Sequence, residues 1–170
     1  MSTMKRKMCG GLYGRLTKPR KSKMNKQRVF DQLCIDEGVK YEIYKDHLGY
    51  PTFGVGHLIV KDDPEYGCEV GTTVSEERVW EAFEADLNTA HKECVALYLA
   101  KFDIWPEEVQ EVLVNMMFNM GRTRLAKFKN FRAALDANDW ARAAVEGRDS
   151  LWYKQVTNRA ERLMTRLENV

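Results

Sequence analysis

The sequence predicts a mostly helical α+β fold with one small antiparallel sheet near its N-terminus, on three observations. Apolar residues alternate with period two in two short runs only, Tyr41–Lys45 and Thr52–Gly56, on either side of a turn containing Gly49. From Ser75 almost to the end they recur at helical spacing instead. With 170 residues, 44% of them hydrophobic and 31% charged, the chain can bury a core and reads as soluble and globular.

The elements follow in order. Between Met1 and Arg28 stand ten Lys and Arg residues and no Asp or Glu, so the formal charge of +2 conceals a basic tail on an acidic body. Residues 1–24 show neither periodicity nor an apolar face and read as a disordered, solvated arm. That reading is preferred to a nucleic-acid or anionic-surface contact, and nucleic acid is not an expected partner. A first helix is expected over 25–36, where Val29, Phe30, Leu33 and Cys34 share a face, with Gly38 as its stop. The sheet region spans about 37–74 and includes the polar loop KDDPEYG.

Ser75 is a good N-cap for a long helix over about 75–99, striped by Val79, Phe83, Leu87, Ala90 and Cys94, which suits a bridge between two lobes. A helical lobe occupies about 100–170. Pro106 fits the first turn of a helix carrying Val109, Leu113, Met116, Met117 and Met120 before Gly121. Shorter helices are expected to start near Asn130, Asp139, Ser150 and Thr157. The methionines are read as core rather than as a ligand surface.

Several classes are excluded. The four cysteines (Cys9, Cys34, Cys68, Cys94) form no CxxC, and no histidines sit at ligand spacing, so free thiols and no metal are expected. No apolar run approaches a membrane span, and no secretory signal is legible at the N-terminus.

One stretch, "CIDEGVKYEIYKDHLGYPTFGVGH", carries candidate chemistry. Glycoside hydrolysis commonly uses two carboxyl groups, one giving a proton to the leaving oxygen and one remaining ionised. Glu37 stands where a helix ends against a sheet, a place where a carboxyl is partly desolvated. Asp46 stands at the hairpin tip, in solvent. Fully extended, the chain would hold them roughly 30 Å apart, so they meet only if it reverses after Gly38. Thr52, on the returning strand, then offers a hydroxyl beside Asp46 to hold a water, and Gly54 and Gly56 leave the strand bare for a ligand. Solvated acidic residues beside a hairpin are common, and the pattern alone leaves both readings open.

The spacing of Glu37, Asp46 and Thr52 within "DEG…YKD…GYPTFGVGHL" resembles the catalytic signature of the phage lysozymes of T-even type. "NMMFNMG" (Asn115–Gly121) and "DSLWYKQVTNRAER" (Asp149–Arg162) are similar to two further blocks of that family, in the same order. The resemblance covers Asn25 to about Glu168 and implies a two-lobed lysozyme-like fold. It implies a muramidase that cuts the β-1,4 bond between N-acetylmuramic acid and N-acetylglucosamine in bacterial peptidoglycan, without cofactor, as a monomer. By that resemblance Glu37 is the general acid, Asp46 orients the attacking water or stabilises the charged sugar, and Thr52 helps place the water. Inversion is implied, which requires the carboxyls roughly 6.5–9.5 Å apart rather than about 5 Å.

Arg159 corresponds to the arginine paired with the catalytic glutamate, and His57 to a structural position whose expected partner is Asp86. Leu58 and Phe118 match cleft positions, though either is apolar enough for plain core. Asn119 stands where the family often has glutamine. Phe131 and Glu146 depart from the serine and asparagine common at their positions, so no binding role is carried to them. The loop from Lys61 to Gly71 is expected to be short. The resemblance further implies an endolysin held in the host cytoplasm until a holin releases it. The alternatives are a tail-associated lysozyme and a non-catalytic wall-binding module of the same fold.

Overall fold

The computed structural model describes residues 24–170, so the basic arm over 1–23 and Cys9 lie outside the described residues. Helix α1 (Lys26–Glu37) opens at Asn25, whose Oδ1 accepts from the Arg28 amide at 3.0 Å. It closes at Gly38, which has φ +78° and donates its N–H to the Cys34 carbonyl. The helix runs one residue beyond the expected end. Glu37 is therefore its last residue, and the glycine swings the chain directly into the sheet.

The sheet has three strands in the order β1 (Lys40–Lys45), β2 (Pro51–Gly54), β3 (His57–Leu58), all antiparallel. Thr52 on the central strand faces Tyr44 on one side and Leu58 on the other. The third strand was not expected, because two residues are too few to show a period. The backbone turns at Gly54 (φ +62°) and Gly56 (φ +75°), which ends β2 two residues early. The idea that both glycines bare the strand for a ligand is corrected at Gly54. A Cβ there would meet Val79 Cγ1 at 3.2 Å, so the missing side chain admits a helix.

Helix α2 (Glu76–Tyr98) is capped by Ser75 and carries Glu76 and Glu77 in its first turn, where the helix dipole favours negative charge. It joins two cores. Its Val79 and Ala82 close a small cluster with Ile43, Phe53, Ile59 and Val74 under the sheet. Its Phe83, Leu87, Ala90, Cys94 and Leu97 belong to the larger helical core. A 3-10 segment, Leu99–Ile104, leads into α3 (Glu107–Leu125), whose helical backbone breaks at Gly121 (φ +72°, ψ 167°), the expected stop, before a short second helical stretch runs on to Leu125. Met116 and Met117 are buried in the larger core. Then come α4 (Lys129–Asp136), α5 (Trp140–Arg148), α6 (Leu151–Gln155) and α7 (Thr157–Glu168).

A buried ionic clasp fixes α1 relative to the helical core. Glu111 of α3 is 1% exposed and accepts from Arg28 of α1 at 2.7 and 2.9 Å and from Arg166 of α7 at 2.7 Å. One carboxylate thus ties three helices. Cys34, Cys68 and Cys94 are free thiols. Among the described residues no helix is long and apolar enough to cross a membrane, and no His, Cys, Asp and Glu group is arranged to hold a metal ion.

Candidate active site

The end of α1, the α3 segment around Asn119 and the α6–α7 junction border an open cleft of about 420 Å³, and Glu37 lines it together with Arg159. The Glu37 side chain is 34% exposed, about one third in solvent and the rest against the protein. Its Oε1 accepts a short hydrogen bond from Arg159 Nη1. Arg159 is itself held from behind, with Nε donating to Asn115 Oδ1 at 2.8 Å and Nη2 to the Asn115 carbonyl at 3.1 Å. Asp36 completes the frame. Its side chain is only 4% exposed, accepts from Asn115 Nδ2 at 2.9 Å and from Arg162, and lies 3.6 Å from Arg159 Nε. The adjacent acids therefore divide: Asp36 anchors the arginines, while Glu37 opens into the cavity.

Asp46 and Thr52 are not in that lining; Thr52 sits on β2 and Asp46 in the turn just past the end of β1. Asp46 Oδ1 accepts the amides of Leu48 (2.9 Å) and Tyr50 (2.8 Å), and its own amide donates to the Tyr50 carbonyl. The side chain therefore organises the hairpin turn. Thr52 is 3% exposed and donates to the Tyr50 carbonyl at 3.1 Å, so its oxygen lone pairs remain available as acceptors. Tyr44 lies opposite Thr52 on β1. Burial pushes its phenol above the ordinary value, and the charges of Asp46 and Glu37 both push the same way. Both carboxylates thus lie within electrostatic reach of one hydroxyl.

His57 lies at the back of the sheet between two carboxylates. Nδ1 faces Asp86 Oδ2 at 2.8 Å, and Nε2 faces Asp63 Oδ2 at 3.2 Å. Arg78 continues the network to Asp63 and Glu65 at 2.9–3.0 Å, pinning the 61–71 loop to α2. The hydrogen bond that His57 donates to Asp86 is the main reason that the His57 pKa is raised, with Asp63 adding to it against the effect of burial.

The candidate sugar contacts separate. Leu58 is 47% exposed on β3 beside Thr52. Phe118 stacks on Phe83 of α2, at 6.3 Å between centroids, and packs against the larger core. Asn119 lines the Glu37 cavity and also a neighbouring one of about 630 Å³. Its Oδ1 accepts from Trp152 Nε1 at 2.7 Å. An indole N–H only donates, so the amide orientation is fixed and the Asn119 NH₂ is turned to the other side. Phe131 is buried at 1% exposure against Phe128, and Glu146 pairs with Arg142 at 2.5 Å.

Sequence reasoning passed over Asp36, Asn115, Arg162, Trp152 and Tyr44. A signal existed for Asn115, an amide set among Leu113, Val114, Met116 and Met117 and 1% exposed. A polar residue on a buried stripe needs partners.

Residues 35–169 match the Phage lysozyme family. The chain is 33% identical to the pre-baseplate central spike protein Gp5 of Enterobacteria phage T4 over 151 residues, which is 78% of this chain and 26% of that protein. It is 31% identical to the probable T4-type lysozyme 2 of Dictyostelium discoideum, over 81% of this chain and 92% of that protein. It is 33% identical to the peptidoglycan hydrolase gp36 of Pseudomonas phage phiKMV, over 85% of this chain and 16% of that protein. The chain thus spans about a quarter of the first of these relatives and nearly all of the second.

Proposed function

The chain belongs to the phage lysozyme family, its residues 35–169 forming a glycoside hydrolase domain of the muramidase class, and from that premise we propose the following reaction. The domain cleaves the β-1,4 bond from N-acetylmuramic acid to N-acetylglucosamine in bacterial peptidoglycan, with Glu37 as general acid. The observation that carries this is the placement of Glu37 at a helix end, opening into a cavity with an arginine against it.

In its protonated form Glu37 gives its proton to the leaving glycosidic oxygen. Arg159 then stabilises the carboxylate that remains, and Asn115 and Asp36 hold that guanidinium in place. Asp46, its side chain oriented by the Leu48 and Tyr50 amides, directs a water to the opposite face of the sugar. Thr52, its proton committed to the Tyr50 carbonyl, accepts a hydrogen bond from that water. Leu58 and Asn119 contact the sugars. A water on the face opposite the leaving group inverts the anomeric carbon. NMR of the first-formed reducing end tests this: inversion yields the α anomer, and an initial β anomer would show retention.

The match to a spike protein supports a second reading of where the enzyme acts. One role is an endolysin that waits in the host cytoplasm for a holin; the other is a lysozyme carried on the virion. Antibody detection in purified virions separates them.

A further inference from the structure

Glu37 stands at the far end of a helix that apolar packing holds only lightly. Of the twelve residues of α1, Val29 and Leu33 alone are buried, one turn apart on a single stripe. Such contacts are non-directional and do not by themselves fix the tilt or register of the helix. Polar ties do so instead, and they form one row. Arg28, Gln32 and Asp36 follow each other at four-residue spacing along α1 and share a face. Opposite them α7 presents Arg159, Arg162 and Arg166, three and four residues apart. Arg166 donates to Gln32, Arg162 to Asp36 and Arg159 to Glu37, so the two helices run antiparallel and are tied at each step. At its Arg28 end the row is locked to α3. Arg28 and Arg166 share the buried Glu111 carboxylate, and Glu108 accepts from Arg166 and lies 3.3 Å from Arg28.

These ties are not equivalent during the proposed reaction. To act as an acid Glu37 must carry its proton, and a neutral carboxyl binds a guanidinium less strongly than a carboxylate does. The bond to Arg159 is therefore weakest in the form that reacts, and the helix end then depends on ties whose charge does not change. We infer that Arg166, Gln32 and the buried Glu111–Arg28 pair are positioning residues for the general acid, setting where α1 holds Glu37 while it is protonated. None of the four lines the cleft, so they act through the helix rather than on the sugar. Arg28 precedes Glu37 by nine residues. At helical rise that is about 13–14 Å, so a tilt of about 5° pivoting at Arg28 moves the Glu37 end by about 1 Å. A misplacement of about 1 Å can cost about a hundredfold in rate.

The positioning role rests on the muramidase reading, which wild-type cleavage of soluble, uncrosslinked peptidoglycan strands tests by itself. Apolar side chains of similar size commonly replace a buried ion triad without loss of stability, while its directional bonds disappear. The combined Arg28→Met, Glu111→Met, Arg166→Met protein should therefore unfold in urea no earlier than wild type. Its kcat on the strands should fall at least about tenfold, with KM within about twofold of wild type. Gln32→Met removes only the tie from α1 to Arg166 and should lower kcat about threefold, again at unchanged KM. Gln32→Glu restores an acceptor for Arg166 and should match wild type. A merely structural role would make kcat follow the urea midpoint instead. A stably folded triple variant with wild-type kcat overturns the inference, and so does a loss confined to KM. If the triple variant fails to fold, the Gln32 variants decide, since wild-type kcat in Gln32→Met overturns the inference as well. A wild type that cleaves no strands overturns the muramidase reading and the positioning role with it. An active wild type whose variants are equally active overturns the positioning role alone.

Discussion

Replacing His57 by Asn probes how the sheet is held to α2. Asn keeps a neutral donor near the position of Nδ1 and loses both the charge and the bond to Asp63. Both ring nitrogens face carboxylate oxygens, at 2.8 and 3.2 Å. A neutral ring can donate to only one of them, so the arrangement is complete only in the imidazolium form. Hydrogen bonds to charged groups contribute about 1.5–3 kcal/mol each. Asp86 is 34% exposed, which reduces the first, so the pair together is worth about 2–3 kcal/mol.

The sign follows from linkage. The pKa of His57 is raised in the folded protein from its ordinary 6.5, so its stabilisation is fully present below that value and is lost as pH rises through the folded value. The Asn variant should therefore be less stable than wild type by about 2–3 kcal/mol at pH 5.5 and by about 1 kcal/mol at pH 9.5. For a domain of this size that narrowing of about 1–2 kcal/mol is about 2–8 °C in Tm. Paired thermal melts across the range measure it. A Tm difference that does not change with pH would refute the imidazolium argument.

Three further outcomes follow from packing. Glu111→Ala removes the carboxylate shared by Arg28 and Arg166 and should cost about 2–3 kcal/mol in urea unfolding, discounted because Arg28 remains in partial contact with water. Gly54→Ala combines φ +62° with a Cβ 3.2 Å from Val79 and should cost about 1–2 kcal/mol in the same assay. The Tyr98 hydroxyl is buried without a hydrogen-bond partner among the described residues, so Tyr98→Phe should be neutral or stabilising by up to about 1 kcal/mol; a clear loss would mean that the hydroxyl is satisfied.

Helices long enough to complete several turns were legible in the sequence. Val79, Phe83, Leu87, Ala90 and Cys94 predicted α2 and its bridging role, and Ser75 its start. What escaped lacked periodicity. Two residues of β3 cannot show alternation, and the short helical stretch after the break at Gly121 is too brief to show a period. In the candidate site the chain pointed to Glu37, Asp46 and Arg159 through spacing and resemblance. It did not show why Arg159 holds its pose, because Asn115 and Asp36 lie 44 residues away and more in sequence and meet it only after α1, α3 and α7 pack. Nor did it show that the Asp46 side chain spends one oxygen on its own turn.

The central claim is that Glu37 donates the proton that breaks the glycosidic bond. Its most direct test is the initial rate at which soluble fragments leave purified peptidoglycan sacculi, measured for wild type and Glu37→Gln at equal bound protein. The account predicts release by wild type and a fall of at least about a thousandfold in the variant, with binding retained. A variant that releases fragments within about tenfold of wild type, or a wild type that binds sacculi and releases none, would contradict it.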